Sequence, residues 1–243
     1  MTASKLIVAN WKMNGSLASI RDYGVELARR MEKPPGNAQL VIAPPFPYLM
    51  FMDGRLASAA IGLAAQDCSA KAEKGAFTGD VSAVMLKDIG CQYVIVGHSE
   101  RRQYFQESNT IVAAKVQCAI EAGLIPILCV GETLEEKEAG TTENVVKTQL
   151  DAVKLSKELI IAYEPVWSIG TGRVPTAKEI TSMCIFIQDY AHKKNIPTTV
   201  VYGGSVNGDN AREILHLKGV DGVLVGGASL TLDTFWPIVM AAD

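Results

Sequence analysis

Leu159-Ile160-Ile161-Ala162-Tyr163-Glu164-Pro165-Val166-Trp167-Ser168-Ile169-Gly170-Thr171-Gly172 carries the pattern that decides the fold. Its opening run is apolar on both faces, as in a strand covered on both sides of a parallel sheet. The run ends on a carboxylate, Glu164, and a proline, a tryptophan and two glycines follow as loop. Thr176-Ala177-Lys178-Glu179 is then a capping box, a hydroxyl with a glutamate three residues on. It opens a helix on which Ile180, Met183, Cys184, Ile187 and Ala191 share one face. Strand, loop and helix make one βα unit. Strand ends of this kind are where α/β proteins place chemistry, and the glycine-bearing loop is a candidate lid. On this stretch alone, Glu164 fits a catalytic acid and a solvated loop residue equally well.

The unit recurs on either side. Apolar runs fall at Leu6–Ala9, Leu40–Ala43, Ile61–Ala65, Tyr93–Val96, Leu124–Val130, Leu159–Tyr163, Thr199–Val201 and Gly222–Val225. Between them lie helical patterns: from Ser16 until Pro34-Pro35-Gly36, Tyr48–Ala57, Ser82–Ile89, a stretch with Val112, Val116, Ala119 and Ile120 on one face, Glu143–Leu155, the Thr176 helix, one opening at Asn210, and Thr231–Ala241. The spacing is ~30 residues per unit, and no proline-, serine- or charge-rich linker divides the chain. Eight units predict a single-domain (β/α)8 barrel of eight parallel strands over residues 1–243. An open doubly wound sheet needs a glycine-rich dinucleotide turn after the first strand, and Asn10-Trp11-Lys12 is not one.

Bulk properties narrow the function. Of 243 residues, 48% are apolar and 20% charged, enough for a sizeable core. The net charge of −3 is carried without a basic cluster, which argues against a nucleic-acid partner. The five cysteines, Cys68, Cys91, Cys118, Cys129 and Cys184, are widely spaced with no C-x-x-C pair, so a disulfide framework or zinc site is not expected. The short apolar run before Asn10 is below signal-peptide length and no later run reaches a membrane span. These features predict a cytoplasmic protein.

A barrel gathers its strand ends around one mouth. The first offers Asn10 and Lys12, the fourth His98, the fifth Glu132, the sixth Glu164, the seventh Gly204-Ser205 and the eighth Gly226-Gly227. Two glycine pairs on adjacent strands, each leading into a helix, let backbone N–H groups approach an anion, with phosphate the natural guest; either pair alone also fits a tight turn. Lys12 complements a phosphate and any oxyanion. A helix N-terminus beside His98 would keep its imidazole neutral. One base and one neutral hydrogen-bond donor, with neither metal cluster nor cofactor loop, suit proton abstraction beside a carbonyl through an enediolate. The long loop 68–79 is expected to serve function or contact a partner.

Six stretches, in order, resemble the triosephosphate isomerase family: Asn10-Trp11-Lys12-Met13-Asn14-Gly15, Gly75-Ala76-Phe77-Thr78-Gly79, Gly97-His98-Ser99-Glu100-Arg101-Arg102, the opening stretch, Tyr202-Gly203-Gly204-Ser205 and Val225-Gly226-Gly227-Ala228-Ser229. The resemblance implies the TIM barrel and interconversion of dihydroxyacetone phosphate and D-glyceraldehyde 3-phosphate, a step of glycolysis and gluconeogenesis, without a cofactor or metal. It implies Glu164 as base, His98 as proton shuttle, and Lys12 and Asn10 as substrate and oxyanion binders. The N–H groups of Gly170, Ser205, Gly226 and Gly227 would hold the phosphate; Trp167, Ile169, Glu132, Tyr202 and Glu100 would serve the lid and support the site. It also implies a homodimer in which the loop around Thr78 reaches the partner subunit's site. Two positions depart from the family. Ser168 stands where alanine is usual, a change expected to be tolerated. Pro175 lacks the N–H that many members offer the tyrosine corresponding to Tyr202. The alternatives are a catalytically silent phosphate-binding barrel, expected to lack Glu164 or His98, and another phosphosugar enzyme on this fold, which would need a mid-barrel Schiff-base lysine or a metal site.

Overall fold

The computed structural model describes residues 4–32, 35–56, 61–72, 74–169 and 173–243. Eight strands form a closed parallel barrel in sequence order: β1 Lys5–Asn10, β2 Ala38–Ala43, β3 Gly62–Ala65, β4 Tyr93–Val96, β5 Ile125–Val130, β6 Ile160–Tyr163, β7 Thr199–Tyr202 and β8 Gly222–Val225. The ring closes where β8 pairs with β1, Val8 lying beside Leu224. The (β/α)8 barrel read from the sequence is the fold observed.

Two apolar layers follow from the two-residue period of a strand. Leu6, Val8, Tyr93, Ile95, Ile127, Cys129, Ile160, Ala162, Val201 and Leu224 fill the barrel. The intervening Ile7, Ala9, Val94, Val96, Leu128, Ile161, Val200 and Val223 face outward and join the larger core under the helices. Burial on both faces is why the strands read as unbroken apolar runs.

The helices are α1 Leu17–Arg30, α2 Leu49–Leu56, α3 Ala83–Asp88, α4 Ser99–Tyr104, α5 Asn109–Glu121, α6 Leu134–Glu138, α7 Thr142–Asp151, α8 Ala177–His192, α9 Ala211–Leu215 and α10 Leu232–Met240. Thr176 and Glu179 form the anticipated capping box on α8, and Ile180, Met183, Cys184, Ile187 and Ala191 are its buried face. The clearest departures from the sequence reading are two helix ends and two additional short helices. Helix α1 stops at Arg30, capped by Met31, ahead of the prolines. Helix α7 ends at Asp151 rather than Leu155: Val153 and Leu155 are buried and prolong the apolar pattern, but from the loop. Helices α4 and α6 are additional turns, too short to show a period. No described helix is long and apolar enough to cross a membrane.

Candidate functional site

Strand parity aims the site. Ile160 and Ala162 point into the barrel, so Glu164, next in that series, points into its mouth. Leu6 and Val8 place Asn10 and then Lys12 at the same end by the same count. Glu164 is 1% exposed, and Asn10 and His98 are also buried. His98 leaves the strand after Gly97, whose φ of +69° turns the chain, and becomes the N-cap of α4. Its Nδ1 accepts from the Glu100 N–H at 3.2 Å. With Nδ1 so engaged, the neutral ring carries its proton on Nε2, which lies 3.1 Å from Glu164 Oε1. The other carboxylate oxygen accepts from the Ser99 N–H at 3.0 Å. Glu164 Oε1 has no aligned hydrogen-bond donor among the described residues, which leaves that oxygen able to take a proton.

Lys12 adopts a positive φ of 52°, uncommon for a side-chain-bearing residue and a form of local strain. Three contacts hold it. Its N–H donates to Asn10 Oδ1 at 3.0 Å, Gln66 Nε2 donates to its carbonyl at 2.9 Å, and its ammonium meets Glu100 Oε1 at 2.5 Å. A Cβ on Gly226 would stand 3.3 Å from Lys12 Cε and 3.9 Å from Nζ, so the charge lies over the β8 glycine pair. Asn10, Lys12, His98, Glu164, Ile169, Gly204, Ser205, Gly226 and Gly227 line one cavity of about 410 Å³. Gly227 opens a 3-10 turn to Ser229, with open space on its Cβ side. A buried carboxylate and an imidazole N–H, with an ammonium and glycine backbone lining the same cavity, match a short phosphorylated carbonyl compound.

The sequence model described as triosephosphate isomerase matches residues 5–242. The chain belongs to the triosephosphate isomerase family. The triosephosphate isomerase of Delftia acidovorans is 47% identical to it, over 98% of this chain and 99% of that protein. Those of Herminiimonas arsenicoxydans and Hahella chejuensis are 44% and 43% identical, each over 98% of this chain and 99% and 98% of theirs.

On this triosephosphate isomerase scaffold, the supporting residues divide into two groups. Glu132 is buried at the β5 exit and accepts from Trp167 Nε1 at 2.7 Å and from the Tyr163 hydroxyl at 3.2 Å. Burial pushes its carboxyl up, against the pull of those donors. Lys137 Nζ sits 3.4 Å from the Trp167 ring centroid and 2.7 Å from Glu179, tying that tryptophan to α8. Tyr202 is fully buried beneath the β7 exit. Thr78 lies apart from the cavity, on an exposed stretch with Phe77. Gly170 lies outside the described residues.

The sequence reading missed three features. Gln66, the residue after β3, donates to Ala43 O at 2.8 Å as well as to the Lys12 carbonyl and so bridges β2 to Lys12. Gly131 is required by contact: its Cβ would stand 1.7 Å from the Glu164 carbonyl oxygen. Beneath the β3 and β4 exits, Lys115 Nζ meets Asp67 at 2.7 Å and Glu107 at 2.5 Å, while Arg101 reaches Glu107 at 2.6 Å. A glycine after a strand was the visible signal for Gly131. The charge cluster joins three separate segments and has no local signature.

Proposed function

We propose that this chain is a triosephosphate isomerase, interconverting dihydroxyacetone phosphate and D-glyceraldehyde 3-phosphate through an enediolate. The observation that carries the reading is the pairing of Glu164 Oε1 with His98 Nε2 at 3.1 Å inside a cavity that also holds Lys12 and the two glycine pairs. Glu164 takes a proton from the carbon beside the carbonyl and returns one to the neighbouring carbon. His98 donates from Nε2 to the carbonyl oxygen as charge develops there, then passes the proton between the two oxygens. Lys12 balances the negative charge of enediolate and phosphate together, and Asn10 fixes its backbone. A positioned general base is worth on the order of 10²–10⁴ in rate. An aimed oxyanion donor in a dry site adds about 10²–10³. The phosphate rests on the N–H groups of Ser205, Gly226 and Gly227, with Gly170 proposed as the fourth.

The Val166–Ser168 turn, braced by Trp167 on Glu132, roots the loop proposed to cover the substrate. We also read the chain as a homodimer. The loops and helices after β1, β3 and β4 expose Met13 (95%), Phe77, Val84, Met85, Tyr104 and Phe105. Exposed apolar side chains on these segments are what supports a self-associating surface. The cytoplasm is the proposed location.

Wild type and Glu164→Asp assayed with both triose phosphates test the activity. The reading expects wild type to run both directions and the shortened carboxylate to lose most of the turnover; equal rates contradict it. Light scattering at micromolar concentration is expected to give twice the chain mass, and a monomeric mass contradicts the dimer.

A further inference from the structure

We propose that the hydroxyls of Ser168 and Tyr202 form a positioning pair, hydrogen-bonded to each other when substrate is held, which fixes the turn after Glu164 against the backbone that receives the phosphate. The proposal deepens the isomerase reading and rests on its phosphate cradle.

Ser168 and Tyr202 are both fully buried, and neither hydroxyl completes a hydrogen bond among the described residues. They share one small space. The point at which a Cβ on Gly204 would stand lies 2.1 Å from Tyr202 Oη and 3.0 Å from Ser168 Oγ, so only glycine admits both oxygens there. Burial pushes the phenol's pKa up, and the Ser168 hydroxyl is the first group that opposes it. Two unmade hydroxyls in a dry pocket are costly, and one bond between them gives one an acceptor and the other a donor.

The pair sits where it can act on the site. Ser205 Oγ donates to the Ser168 carbonyl at 2.8 Å, and the Gly203 N–H donates to the Tyr163 carbonyl at 2.8 Å. These bonds stitch the β6 exit, which carries Glu164, to the β7 exit, which carries Gly204 and Ser205. A Cβ on Gly203 would stand 2.9 Å from Glu164 Cγ, so the two exits are in contact beside the base itself. A displacement of Ser168 therefore reaches the phosphate-binding backbone through Ser205 and Gly204. Both residues are positioning residues; neither touches the reacting carbons.

The test is a cycle of Ser168→Ala, Tyr202→Phe and the double variant, each of which removes oxygen and adds no bulk. Dissociation of sn-glycerol 3-phosphate, an unreactive analogue with the same phosphate arm, is measured by calorimetry beside KM, kcat and the thermal midpoint. Each single variant is expected to raise the dissociation constant and KM about threefold to tenfold, the worth of one hydrogen bond, with kcat changed less than twofold. The double variant is expected to match the worse single one. Additive effects, or a shifted midpoint with unchanged dissociation constant and KM, overturn the pair. Should Tyr202→Phe not fold, an unchanged dissociation constant in Ser168→Ala alone overturns it. Wild type that binds the analogue without interconverting triose phosphates refutes the isomerase reading but leaves the cycle decisive. Wild type that does not bind the analogue overturns the pair's role.

Discussion

Replacing Gly131 with alanine is expected to cut turnover about a hundredfold in a barrel that still folds. The added methyl carbon would stand 1.7 Å from the Glu164 carbonyl oxygen and 2.6 Å from its carbonyl carbon, where real contacts essentially never fall below 3.0 Å. The β5 and β6 exits must therefore part by about 1.3 Å, the difference between 1.7 and 3.0 Å. Gly131 cannot readily give way, because its N–H donates to Gln149 Oε1 at 2.8 Å and its carbonyl accepts from Gln149 Nε2 at 3.0 Å. The shift falls on Glu164, whose carboxylate is set against Ser99 and His98 at 3.0 and 3.1 Å. A misplacement of about 1 Å at a reacting group costs on the order of 10²-fold. Gly140→Ala is the control. Its φ of +70° is strained by a side chain, but its Cβ meets nothing within 4 Å. It is expected to lose about 1 kcal/mol of stability with kcat unchanged. Turnover of glyceraldehyde 3-phosphate is followed beside far-ultraviolet circular dichroism. A folded Gly131→Ala enzyme within threefold of wild-type kcat refutes the reasoning.

Glu132→Gln tests the buried carboxyl behind Trp167. Because burial raises its folded pKa, the stability it contributes is fully present below the ordinary value of about 4.5 and is lost as pH rises through the raised value. The gain of the variant over wild type in urea unfolding is therefore expected to be larger at pH 8 than at pH 5, and an equal gain at both contradicts this. Lys115→Met leaves the buried Asp67 and Glu107 to share Arg101, at 2.9 and 2.6 Å, with no ammonium between them. A loss of about 3–5 kcal/mol is expected by denaturant unfolding, and a loss below about 1 kcal/mol, within the range of surface pairs, refutes it. Gln66→Leu removes the donor that holds the strained Lys12 backbone. It is expected to raise KM about tenfold, the worth of a hydrogen bond to a substrate-binding segment, and an unchanged KM argues that Asn10 and Glu100 hold Lys12 alone.

The barrel was legible because parallel strands covered on both faces must be apolar throughout, and eight such runs recur. The position of Glu164 was legible for a related reason: two-residue parity from Ile160 and Ala162 carries it into the mouth. Chemistry that joins distant segments was not. Lys115 shows no partner in its own stretch of sequence until the fold brings Asp67 and Glu107 to it. Gln66 reads as a strand terminus because its two acceptors, the Lys12 carbonyl in the loop after β1 and the Ala43 carbonyl on β2, lie far off in sequence. The six residues of α4 are too few to show a period, yet that turn places the Glu100 N–H on His98 Nδ1 and so sets the tautomer. Ser168 read as a neutral exchange for alanine; its hydroxyl gains meaning only from Tyr202, which a different strand brings beside it.

Glu164 is proposed to carry a proton between two carbons through an enediolate. Dihydroxyacetone phosphate converted in deuterium oxide by wild type and by Glu164→Asp, with deuterium at the carbon beside the aldehyde of the product read by NMR, tests it most directly. Solvent deuterium is expected at that carbon in the wild-type product and, in the variant, formation of the labelled product slowed about a hundredfold or more, as expected when a general base is drawn back from its carbon. Product that retains the substrate's hydrogen without solvent deuterium, formed at the same rate by both enzymes, would contradict it.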